Sequence, residues 1–152
     1  MKGLINRKIG QIAIFLVFEL LSIGMGMGVP IFTILFGFFV GLAIPWKILS
    51  DFDLSPKGLA SILRTALITS SATLLLMALV WLPSLKWLFD PSLDIANYGI
   101  PMILYSPRSS FIGWMILMVL ISPFLQFLMT LFGSVVWIVF MKGKVTGDEI
   151  ET

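Results

Sequence analysis

The chain has 152 residues, of which 59 % are hydrophobic and only 12 % charged, and its mean hydropathy is +1.06. A soluble domain carries about a quarter charged residues, so this chain lacks the polar surface needed to coat a water-facing globule. It contains no Cys and no His, which excludes disulfides, Cys/His zinc sites, and Cys-His or Ser-His-Asp catalysis.

The net charge of +2 is small and scattered, and no nucleic-acid signature accompanies it. No nucleic-acid partner, metal or cofactor is therefore expected. The expected partner is the lipid bilayer, with a homo-oligomer or a larger membrane complex as the further possibility.

Four apolar runs follow in order, at residues 9–27, 29–48, 59–82 and 111–141. Each is near or above the roughly 20 residues that span a bilayer as helix. Continuous runs fit helices, whose backbone groups are satisfied within the segment, and not the alternating ten-residue strands of a barrel. The expected fold is all-α: a polytopic membrane protein with a bundle of about four transmembrane helices, in one transmembrane domain over residues 1–152. The first run follows Lys2, Arg7 and Lys8 as a signal peptide would. It contains Glu19 and no small-residue cleavage pattern, so it reads as a retained helix.

The breaks between runs are marked by Gly and Pro. Gly24, Gly26 and Gly28 precede Pro30, which suits the first position of a helix. Ser55-Pro56 and Ser106-Pro107 repeat that start, with Ser as N-cap. Pro83 is expected to close the third helix. The outer loop, 83–110, is rich in Trp, Tyr, Pro and Leu, and is expected to lie at the membrane interface with a short helix from Asp90-Pro91 to near Gly99. Pro123 lies inside the fourth run and should kink it.

Orientation follows from the cations. Lys2, Arg7, Lys8, Lys47, Lys57, Arg64, Lys142 and Lys144 fall on one side, and only Lys86 and Arg108 on the other. Positive-inside bias then predicts both termini in the cytoplasm, in the cell membrane.

Glu19 is the one ionisable residue deep in a predicted span. It lies about 15 Å from the inner boundary at 1.5 Å per residue. A charge there costs a few kcal/mol or more, so the side chain should face the bundle interior. Helical arithmetic gives every span a small or polar stripe. Gln11, Glu19, Ser22 and Gly26 share one on the first helix, and Thr33, Gly37 and Gly41 on the second. Thr65, Thr69 and Thr73 share one on the third, and Ser122, Gln126, Thr130 and Gly133 on the fourth. Depth counting then predicts an intramembrane polar cluster of Glu19, Thr69, Ser70, Thr73 and Gln126. Gly24-x-x-x-Gly28 and Gly37-x-x-x-Gly41 read as helix-packing pairs. Arg64, near the inner boundary, is expected to snorkel toward headgroups.

Asp51 and Asp53 read as solvated loop carboxylates, and Asp90 and Asp94 as helix-capping groups. No catalytic constellation is present. Two functional readings remain: a structural or accessory membrane component, and a proton- or cation-linked transporter or channel element centred on Glu19. Four spans with one Glu in the first is similar in architecture to the small multidrug resistance transporters. Phe18 and Leu20 around Glu19, the long outer loop and the charge bias depart from that family's pattern, and membership does not follow.

Overall fold

The computed structural model describes residues 2–25, 30–48, 56–90, 92 and 104–150, with side chains described for 10–25, 30–45, 56–90, 92 and 104–141. Gly28, residues 49–55 and most of the helix expected from Asp90-Pro91 to near Gly99 lie outside the described residues. What is described is all helical. Helix α1 is Lys2–Met25, α2 is Ile31–Ile48 and α3 is Pro56–Trp81. A 3-10 segment, Leu82–Phe89, continues α3. Helix α4, Pro107–Ile116, passes through a π-helical turn, Leu117–Ile121, into α5, Ser122–Ile150.

The starts and breaks have local causes. Helix α4 begins on Ser106, whose hydroxyl accepts from the Ser109 N–H at 3.5 Å, with Pro107 in the first turn. Ser110 then ties the preceding loop down, accepting from the Leu104 N–H (2.8 Å) and donating to the Leu104 carbonyl (2.9 Å). Pro123 does not end the helix. The turn just before it widens, and the Ser122 N–H reaches back five residues to the Leu117 carbonyl, the usual way a helix absorbs a residue that cannot complete its ladder. The α-helical geometry of α3 tightens at Trp81, two residues before Pro83. A 3-10 turn is described up to Phe89, before Asp90.

The closest pairing is between α2 and α5. Gly37 stands against Gln126, and Gly41, four residues on, stands against Thr130, so the two helices run parallel. Gly133 stands against the Phe38 carbonyl and the Gly41–Leu42 backbone. Each of these glycines lets backbone meet backbone, the close approach that small residues permit between helices. A Cβ at Gly37 would come within 2.6 Å of the Gln126 carbonyl oxygen. Gly24 differs: it is exposed, and a Cβ there meets nothing within 4 Å.

Pro45 lies inside α2 and is fully buried. It has no N–H to offer the carbonyl four residues earlier, that of Gly41. Ser134 of α5 fills the gap: its hydroxyl donates to the Gly41 carbonyl at 2.9 Å, sharing the proton with the Thr130 carbonyl at 3.0 Å. The glycine contact and the proline are thus one device, since the freed carbonyl faces a helix near enough to satisfy it.

Two apolar layers enclose the middle of the bundle. One holds Ile23, Met77, Phe111, Trp114, Met115 and Met118, with Trp81, Trp87 and Leu88 packed against them. Trp81 and Trp114 meet edge to face at 4.5 Å, a favoured arrangement of aromatic rings. The other is smaller, with Ile44 and Ile62 at its centre and Val40, Leu131 and Ile138 around them. Between the layers lies a band of polar residues.

Candidate functional site

That band is built from four helices. Helix α1 supplies Glu19, α2 Thr33, α3 Ser70 and Thr73, and α5 Ser122, Gln126 and Thr130. All are buried, and Glu19, Thr33, Thr73 and Ser122 are fully enclosed. Their burial follows from the stripes: the remaining faces of the same helices carry Leu, Ile, Val and Phe, many of them exposed. Polar side chains gain most by facing one another.

The central contact is between Glu19 and Gln126. The Gln126 side-chain N–H donates to Glu19 Oε2 at 2.9 Å, linking α1 to α5. Thr73 stands beside the same carboxyl, but its hydroxyl proton goes to the Thr69 carbonyl at 3.2 Å. Ser70, one turn before the level of Thr73, donates to the Pro123 carbonyl and so joins α3 to α5 beside the π turn.

Most other hydroxyls turn inward on their own helix. Ser22 bonds the Phe18 carbonyl, Thr65 that of Ser61, and Thr130 that of Gln126, all at 2.8 Å. Thr69 bonds Thr65 and Ala66 at 3.1 and 3.0 Å. This back-bonding is how Ser and Thr meet their hydrogen-bond demand in a helix without another partner. Thr69 therefore does not join Glu19: it is half-buried and faces a groove between α1, α2 and α3.

Four oxygens in the band have no hydrogen-bond partner: Glu19 Oε1, Gln126 Oε1, Thr33 Oγ1 and Ser122 Oγ. Thr33 is one turn before Gly37, and Ser122 one turn before Gln126, so both sit on the stripes that carry the α2–α5 contact. Buried polar atoms are almost always satisfied. Four orphans on one band mark a place that can accept a water, a proton or a small cation. Among them only the two hydroxyls have a proton of their own to donate whatever the state of the carboxyl.

Of the residues read from sequence, Glu19, Ser70, Thr73 and Gln126 line this band, and Gly37 and Gly41 lie directly beside it. Thr69 and Gly24 point elsewhere. Sequence reading passed over Ser134 and Pro45, although a proline inside an apolar run was itself a signal that one carbonyl needed an outside donor. Comparison with known proteins finds no matching family model, no similar curated protein and no similar solved structure.

Proposed function

We propose that the chain is a four-span integral protein of the cell membrane, with both termini cytoplasmic, acting as a structural or accessory component alone, as a homo-oligomer or within a larger membrane complex. Two helical stretches, Pro56–Phe89 and Pro107–Met141, are long and apolar enough to cross a membrane. Only 17 % and 33 % of their apolar windows are buried inside the chain, where a soluble protein's core helix would be mostly buried. The exposed remainder, including Leu75, Leu79 and Phe140, suits lipid. Gly10–Met25 and Ile31–Pro45 are shorter apolar helices. Their reading as spans draws on the adjoining sequence and on the Lys/Arg bias.

The observation that carries the structural role is the enclosed Glu19–Gln126 pair. Helix α1 otherwise packs lightly, chiefly through Phe15 and Phe18 against Phe36 and through Ile23. The pair is a polar clasp holding α1 to α5. Interhelical hydrogen bonds in membranes average about 0.6 kcal/mol and reach about 1.7 kcal/mol, enough to position a loosely packed helix. Glu19→Gln should leave unfolding in detergent unchanged, because an amide still accepts from Gln126. Glu19→Leu should loosen α1 and expose it to protease. A Glu19→Leu chain as resistant as the native one would refute the clasp. For the topology, reporter fusions at Asp53 and Asn97 should report opposite sides, Asp53 inside; the same side for both would refute four spans.

The unpartnered oxygens favour a second reading, a proton or cation site. Under it, Glu19→Gln abolishes ion flux into proteoliposomes while leaving stability intact, because the amide cannot titrate.

A further inference from the structure

A groove of about 940 Å³ runs between α1, α2 and α3, apart from the polar band. Its two ends differ. Gln11 of α1 and Ser61 and Thr65 of α3 line the end toward the inner side. Phe15, Phe36 and Phe39 line the rest, with Ala72 at the far end of the α3 wall. The Thr65 and Thr69 hydroxyls have already given their protons to their own helix, so this wall demands no acceptor from whatever lies against it.

Two cations flank the polar end without lining the groove themselves. Lys57 is one turn before the lining residue Ser61, and Arg64 one turn before the lining residue Ile68. Both are exposed, and among the described residues neither has an ion pair. From Ser61 to Ala72 the α3 wall is about 16 Å long at 1.5 Å per residue, close to half of the roughly 30 Å hydrocarbon core. The groove thus has the depth of one leaflet, a largely apolar lining, and positive charge near its mouth.

We infer that this groove binds an anionic phospholipid of the inner leaflet, with an acyl chain along Phe15, Phe36 and Phe39 and its phosphate at Lys57 and Arg64. The inference rests on the four-span, N-in reading, and goes beyond it by assigning a ligand. An apolar wall alone would take any acyl chain. The two exposed cations make the occupant anionic, because a phosphate can be met by both, and Arg suits its planar fork of donors to phosphate oxygens. A zwitterionic lipid would bring its own cation to the same mouth.

The test uses the full chain, purified in mild detergent, stripped of lipid and offered phosphatidylglycerol or phosphatidylcholine, with retained lipid counted by native mass spectrometry. Phosphatidylglycerol should be retained in preference by about fivefold for each cation engaged. Lys57→Gln with Arg64→Gln should bring the two lipids to parity. Ala72→Phe, which fills the far end, should lower retention of both while Lys57 and Arg64 remain. Equal retention by the native chain, or a preference that survives loss of both cations, would overturn the assignment. So would dimer formation through the groove, read as a disulfide between copies of Ser61→Cys, because a second copy would then be the occupant. Alkaline carbonate extraction, run in parallel, separates failure of the membrane reading from failure of this one: a chain that stays in the membrane but shows no preference refutes only the lipid site.

Discussion

Replacing Gly41 by Ala adds one methyl at the tightest point of the bundle. The new Cβ would meet the Thr130 carbonyl group and come within 3.0 Å of the Thr130 Cα. These are backbone atoms, and no rotamer change can move them. Helices α2 and α5 must separate, and overpacking of this kind costs about 1–3 kcal/mol. The separation also draws Ser134 away from the Gly41 carbonyl, which Pro45 leaves without its own helical donor; that adds roughly 1 kcal/mol, the scale of an interhelical bond in lipid. Helix propensity returns at most about 1 kcal/mol for Gly to Ala. The net expectation is a loss of about 2 kcal/mol. Gly24→Ala is the internal control: its Cβ meets nothing, so the change should be neutral or stabilising by up to about 1 kcal/mol. Both variants can be unfolded by SDS in mixed micelles and followed by circular dichroism. If Gly41→Ala is as stable as Gly24→Ala, the direct backbone contact between α2 and α5 is refuted.

Ser134→Ala should cost about 1 kcal/mol in the same assay, since it removes the donor to Gly41 and leaves that carbonyl orphaned; Ser22→Ala, whose hydroxyl bonds only its own helix, should be near neutral. The Ser92 hydroxyl and N–H both donate to Asp90 Oδ1, at 2.6 and 2.9 Å, and hold its carboxyl below the usual Asp range. The contribution of this turn is therefore complete above the free Asp value of about 3.9 and is lost as pH falls through the lower folded value. An NMR titration of Asp90 should show that depression, and Ser92→Ala should reduce it. A chain retaining Trp87 as its only Trp should emit to the blue and resist aqueous quenchers, because Trp87 is half-buried against Phe111 and the apolar layer around it; water-like emission would count against that packing.

The helices themselves were legible in the sequence. Run lengths, Ser-Pro starts and glycine breaks are local signals, and they located the helical stretches, although α1 begins at Lys2, ahead of its run, and α5 extends past its run to Ile150. In the long connection, Pro83, which cannot complete an α-helical ladder, goes with the tighter 3-10 continuation of α3 over Leu82–Phe89, and the helix expected from Asp90-Pro91 lies outside the described residues. The polar and small stripes were also legible, because a period of 3.6 residues assigns each residue to a face.

Which faces meet is a different matter. Periodicity fixes rotation within a helix but says nothing of which helix lies opposite, or at what height. Gly24 and Gly41 look alike in sequence, yet only Gly41 touches a neighbour. Thr69 and Thr73 share a stripe, yet Thr73 reaches the Glu19 carboxyl and Thr69 the groove. The parallel neighbours α2 and α5 are far apart in the chain, so the pairing of Ser134 with the carbonyl that Pro45 frees has no local signature. Sequence determined the helices and the faces they offer, through hydropathy and backbone chemistry that act over a few residues. Tertiary structure decided the contacts, because backbone approach at Gly37, Gly41 and Gly133 sets the register that brings everything else into place.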